Sequence, residues 1–141
     1  MVPSGVRGRQ AVVASILPPP GTEFLVDRGL ALSPDGRQLV FAAREGEGTG
    51  GLWLRPLGDG AARRLAGTEE GHFPFWSPDG RHVAFFASGA LKRIEVETGL
   101  VESLADYTSG WDSGGAWSPQ GEIVFGSEPF ELHRVHGRGS Q

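Results

Sequence analysis

Ser33-Pro34-Asp35-Gly36 returns as Ser77-Pro78-Asp79-Gly80 and, with one letter changed, as Ser118-Pro119-Gln120-Gly121, at intervals of 44 and then 41 residues. Each copy lies between two short apolar runs. Before it stand Gly29 to Leu32, Phe73 to Trp76 and Gly115 to Trp117; after it stand Gln38 to Ala43, His82 to Ala87 and Glu122 to Gly126. These runs are rich in β-branched and aromatic residues and too short for helices, so each pair is expected to be a hairpin. The tetrapeptide is suited to the turn. Proline presets φ for the first central position, Asp tolerates the second while bonding its own backbone, and Gly takes the left-handed conformation that follows.

A third strand is expected at Leu52 to Arg55, Leu91 to Val96 and Leu132 to Val135, where apolar and polar residues alternate. The first two lead through Gly58-Asp59-Gly60 and Glu97-Thr98-Gly99 to a fourth strand at Ala62 to Leu65 and Val101 to Leu104, while the third unit shows no fourth strand. Four-stranded antiparallel units recurring every ~40–45 residues predict an all-β, partial and open β-propeller of about three blades, since closed propellers carry ~4–8. The blades are expected at about 29–66, 73–104 and 115–135. An extra N-terminal strand is expected at 12–17, so the propeller segment spans 12–136 with disordered ends at 1–11 and 137–141.

The chain of 141 residues has a net charge of −4 and no basic cluster, which argues against a nucleic-acid partner. It has no cysteine, so neither a disulfide frame nor a thiolate nucleophile is available. No run reaches the ~18–20 apolar residues that span a bilayer as a helix, and no membrane insertion is expected. Twelve arginines against one lysine, with no asparagine, suggest a high-GC bacterial coding sequence and leave no N-glycosylation site.

With the repeats laid out, the chain resembles the TolB-like, WD-type bacterial propeller repeat. The resemblance is carried by Leu32 to Phe41 with Leu52 to Leu57, Phe75 to Phe85 with Leu91 to Val96, and Trp117 to Phe125 with Leu132 to Val135. More narrowly, Ile16-Leu17-Pro18-Pro19-Pro20-Gly21-Thr22, Gly67-Thr68-Glu69 and Pro74-Phe75-Trp76-Ser77 look like the propeller appended to some bacterial serine/threonine protein kinases. That resemblance implies a sensor or scaffold, and an extracytoplasmic or periplasmic location. The His-Arg-Asp, Asp-Phe-Gly and Val-Ala-x-Lys segments of a kinase are absent from this sequence.

Catalytic constellations are weak. Gly46 to Gly51 has the look of a phosphate loop, but a strand follows it and not the helix whose N-terminus would receive the phosphate. Asp112-Ser113-Gly114-Gly115 lacks the surrounding motif of a serine protease, and no Gly-x-Ser-x-Gly elbow occurs. His133 and His136 lie three apart on an expected strand, which puts them on opposite faces and unable to share one metal ion. Gln120 stands where Asp35 and Asp79 stand, so those carboxylates read as turn residues.

The expectation is a non-enzymatic interaction or sensor module with no cofactor and no metal. Its partner would be a protein, a peptide or a small polar ligand, or further blades supplied by its own parent or a second copy. An alternative is the accessory propeller of a kinase or serine peptidase whose catalytic domain lies elsewhere. Turns alternate between the two ends of a blade, so the Ser-Pro-Asp/Gln-Gly corners share one rim and the longer loops share the other. Binding residues favour such loops, and His72, Asp106, Tyr107, Trp111 and Asp112 are the expected ligand-binding set.

Overall fold

The computed structural model describes residues 15–58, 60–107, 114–127 and 131–138. Three antiparallel sheets follow one another along the chain, in the arrangement of an open β-propeller. The first blade has β1 (Thr22–Phe24) and β2 (Leu30–Leu32) end to end along one edge of β3 (Gln38–Glu45), followed by β4 (Gly51–Pro56) and β5 (Arg63–Arg64). The second blade is β6 (His72–Trp76), β7 (His82–Ala87), β8 (Ala90–Glu95) and β9 (Val101–Asp106), paired in chain order. The third is β10 (Gly115–Trp117), β11 (Glu122–Ser127) and β12 (Glu131–His136).

The corners form as their chemistry dictates. Gly36, Gly80 and Gly121 have φ of 74°, 73° and 92°, the left-handed conformation that glycine adopts without strain. In the first two corners the serine hydroxyl donates to the aspartate (Ser33 Oγ to Asp35 Oδ1 and Ser77 Oγ to Asp79 Oδ1, both 2.6 Å) and accepts from the first amide of the next strand (Gln38 and His82, both 3.0 Å). In the third, Ser118 Oγ accepts from Glu122 N at 3.1 Å. That corner is one residue shorter, because four positions and not five separate the serine from the strand amide.

Some boundaries differ from the sequence reading. The inner strand of the first blade is split. Thr22–Phe24 pairs with Ala43 to Glu45, a short 3-10 turn at Val26–Arg28 intervenes, and Leu30–Leu32 pairs with Leu39 to Phe41. Of the strand expected at 12–17, positions 12–14 lie outside the described residues and Ser15–Leu17 carry no strand. Pro18-Pro19-Pro20 follows directly and has no N–H to give a ladder. β6 is bulged between His72 and Phe75, with Phe73 at φ 49° and Pro74 unable to donate. Gly29, at the matching place in the first blade, has φ 88°, and a Cβ there would meet the Phe73 ring at 3.3 Å. The inner strands of neighbouring blades thus come together at their irregularities.

Strand alternation gives each blade two apolar faces, which stack on the next blade. One core joins Val40, Ala42, Leu52, Leu54 and Leu65 of the first blade to Trp76, Val83, Phe85, Ala87, Ile94 and Val96 of the second. A second core joins Ala84, Phe86, Leu91 and Leu104 of the second blade to Ile123 and Phe125 of the third. Polar ties cross the same junctions. Trp76 Nε1 donates to the Ala31 carbonyl at 3.0 Å, and Arg93, held by Glu102 at 2.6 Å, donates to the Gly137 carbonyl at 2.6 Å. Gly137, which the sequence reading leaves in a disordered tail, is therefore anchored on the second blade.

Candidate functional site

Two surfaces are candidates, one on the loop-bearing rim and one on the outer face of the third blade. On the rim, three of the five expected residues lie at one end of the second blade. His72 opens β6 and Asp106 closes β9, so the two stand at opposite edges of one sheet at the same end. Phe86, buried on β7, links His72 to Tyr107. Its ring centroid lies 6.1 Å from His72 and 5.7 Å from Tyr107, which also packs edge-on to Phe125 at 6.3 Å. His72 Nδ1 is 3.0 Å from the Glu70 carbonyl, and Tyr107 N donates to the Gly89 carbonyl at 3.0 Å. Trp111 and Asp112, the other two expected residues, lie outside the described residues.

The rim is rigid at its hairpin tip. Ser88 and Gly89, with φ of 53° and 74°, make the two-residue connection from β7 to β8 that matches the twist of paired strands. Ser88 Oγ reaches Glu70 at 3.3 Å. His72 and Tyr107 present polar groups on a floor of buried aromatic rings, an arrangement able to hold a side chain or a small polar molecule against an apolar base.

The corners on the opposite rim are electrostatically settled. The Ser33 hydroxyl, then the Arg37 amide, holds the Asp35 carboxyl below its usual range; the Ser77 hydroxyl, then the Arg81 amide, does the same for Asp79. A carboxylate bound this way is an acceptor within its own turn and a poor proton donor at neutral pH. His133 and His136 are not brought together. His133 stacks on Phe125 at 5.1 Å and bonds Ser127 Oγ at 2.6 Å, while His136 Nδ1 accepts from Arg138 N.

The second surface is visible only by comparing blades. Leu52, Leu91 and Leu132 occupy one position of the repeat, each opposite the residue one beyond an equivalent apolar-Phe pair: Ala42, Phe86 and Gly126. Leu52 and Leu91 are 0% exposed because the following blade covers them, whereas Leu132 is 80% exposed. The neighbouring position repeats the pattern, with Val40 and Ala84 at 0% and Val124 at 40%. At the other end of the fan Phe41, Ala43 and Trp53 are buried with Phe24, Leu39 and Ala62 packed against them, while Leu30 and Leu32 on the inner strand stay 65% and 53% exposed. The sequence reading named neither leucine nor valine as a site. The signal was present in the register of the repeats, since three leucines at one position imply three similar neighbours.

No family model matches the chain, and no curated protein matches it in sequence. Solved structures do match in fold. A putative TolB from Agrobacterium tumefaciens superposes with a TM-score of 0.68 at 22% identity, over 79% of this chain and 43% of that one. TolB from Acinetobacter baumannii gives 0.66 at 21% identity, over 84% of this chain and 30% of that one. A chain of the nidogen/laminin complex gives 0.65 at 12% identity, over 79% and 44%. The fold is thus that of TolB-type propellers, and the chain spans less than half the length of each of these structures.

Proposed function

We propose that this chain is a non-enzymatic interaction module that docks a protein through the exposed face of its third blade. The observation that carries the reading is the triplet Leu52, Leu91 and Leu132, buried under a following blade twice and open once. Burying a leucine side chain contributes about 1.5–3 kcal/mol, so this face favours an apolar cover. The cover that fits is a further blade, because the two internal junctions already display its chemistry: a tryptophan at the corner and an apolar-x-Phe pair on the second strand, as in Trp76 with Val83 and Phe85. For the 141-residue chain that cover is supplied by a second copy. The likeness to a propeller of the nidogen/laminin complex accords with a protein partner. A kinase-linked parent, as the sequence resemblance suggests, or the alternative peptidase-linked one would use the propeller in the same way, as an appended docking part.

The experiment is sedimentation equilibrium of the 141-residue chain and of Leu132→Lys over a wide concentration range. The reading expects reversible self-association of the wild type, abolished by the lysine, which would have to lose its water at the apolar junction. A wild type that stays monomeric throughout, or a Leu132→Lys chain that associates as well as wild type, contradicts it. The rim around His72, Asp106 and Tyr107 is proposed as the ligand-binding surface of the same module, with Trp111 and Asp112 its expected extension. Retention of ligand affinity in an Asp106→Ala, Tyr107→Phe double variant would remove it.

A further inference from the structure

The corner rim holds a cleft of about 230 Å³ at the junction of the second and third blades, between the Ser77 and Ser118 corners and beneath the Gly137-Arg138 segment. Three departures from the repeat change the chemistry there, two of them by leaving a donor open. Trp76 donates its indole N–H to the preceding blade, but its counterpart Trp117 makes ring contacts with Phe75 at 6.5 Å and His82 at 6.2 Å and no hydrogen bond to the described residues. Ser33 and Ser77 donate to a corner aspartate. Gln120 replaces that aspartate, so the Ser118 hydroxyl accepts from Glu122 N while its own proton has no acceptor among the described residues. Finally, the place of buried Leu54 is taken by Arg93, whose guanidinium lines the cleft, and exposed Arg138 lines it from above.

We propose that this cleft is a binding site for a carboxylate group, with the Trp117 indole N–H and the Ser118 hydroxyl as its hydrogen-bond donors and Arg138 as its counter-charge. A carboxylate accepts through two oxygens, so it can use the donors of the two residues that line the cleft side by side in sequence, Trp117 and Ser118. Arg93 contributes field more than bonds, because Glu102 and the Gly137 carbonyl already hold its Nε, Nη1 and Nη2 atoms. Asp79 forms part of the wall, and its negative charge weighs against a dianion such as phosphate more than against a monoanion. The carboxylate could belong to a small acid or to the end of a peptide chain.

The indole N–H resonances of the nitrogen-15-labelled chain report on the site directly, with Trp117 assigned from a Trp117→Phe spectrum. Sodium acetate, an N-acetylated tripeptide with a free C-terminus, its C-terminal amide and sodium phosphate are titrated at constant ionic strength. A saturable shift of the Trp117 resonance with acetate or with the free-acid peptide supports the site, and whichever binds tighter identifies the source. Ser118→Ala and Arg138→Gln, both near the surface, should each weaken the response by about tenfold, as expected for losing one charge-assisted contact. A shift that tracks sodium chloride alone, an amide that binds as well as the acid, phosphate that saturates first, or full affinity in both variants overturns the proposal.

Discussion

The three equivalent leucines allow one substitution to be compared in three environments. At Leu52 and Leu91, both 0% exposed between blades, Leu→Ala removes buried methyl groups and leaves a cavity, at a cost of about 2–5 kcal/mol. At Leu132, 80% exposed, the same change removes little buried surface and should stay within about 0.5 kcal/mol. In a urea titration followed by tryptophan fluorescence, a loss near 3 kcal/mol moves the midpoint by about 1–2 M. The expected order is therefore large downward shifts for Leu52→Ala and Leu91→Ala and almost none for Leu132→Ala. A Leu132→Ala shift as large as that of Leu91→Ala would refute the reasoning, because it would mean the third blade is already covered.

Other expected outcomes test local chemistry. Thr68, fully buried, donates to the Leu65 carbonyl at 2.6 Å and accepts from Leu52 N at 2.9 Å, so Thr68→Val leaves a buried amide unsatisfied and should cost about 1–3 kcal/mol by chemical denaturation. Burial, then the charge of Arg93, lowers the pKa of His82, so the unfolded chain takes up that proton first as pH falls; stability should be full above the ordinary imidazole range and decline as pH falls through it. His82→Gln, which copies Gln38 of the first blade, should flatten that part of the stability-versus-pH profile. Asp79, with its carboxyl pKa lowered, stabilises the fold above the ordinary aspartate range and loses that contribution under acid, so Asp79→Asn should reduce the loss of melting temperature on acidification.

The corners, the order of the strands and the identity of the fold were legible because Ser-Pro-Asp-Gly constrains the backbone through its own residues, without help from distant parts of the chain. The split inner strand was not. Thr22-Glu23-Phe24 is too short to show alternation, and it is a strand only because β3 extends to Glu45 and offers it an edge. The positive φ of Phe73 was hidden for a similar reason, since an aromatic residue there is held by close packing against Gly29 and not by its own preference. Of the expected rim set, His72, Asp106 and Tyr107 do share one end of the second blade, because loop position follows from strand order. The junction cleft could not be read from sequence: Gln120 in place of an aspartate hints at the Ser118 hydroxyl, but whether the Trp117 indole finds a backbone acceptor on the preceding blade, as Trp76 does, is settled only by how the blades pack.

Hydroxyl-radical footprinting with residue-level mass spectrometry measures side-chain accessibility in solution, and the dilute monomer is the form to examine. The account predicts strong labelling of Leu132 and clear labelling of Val124, with Leu52, Leu91, Val40 and Phe85 protected. Protection of Leu132 equal to that of Leu91 would contradict an open third blade, and with it the docking role assigned to that face.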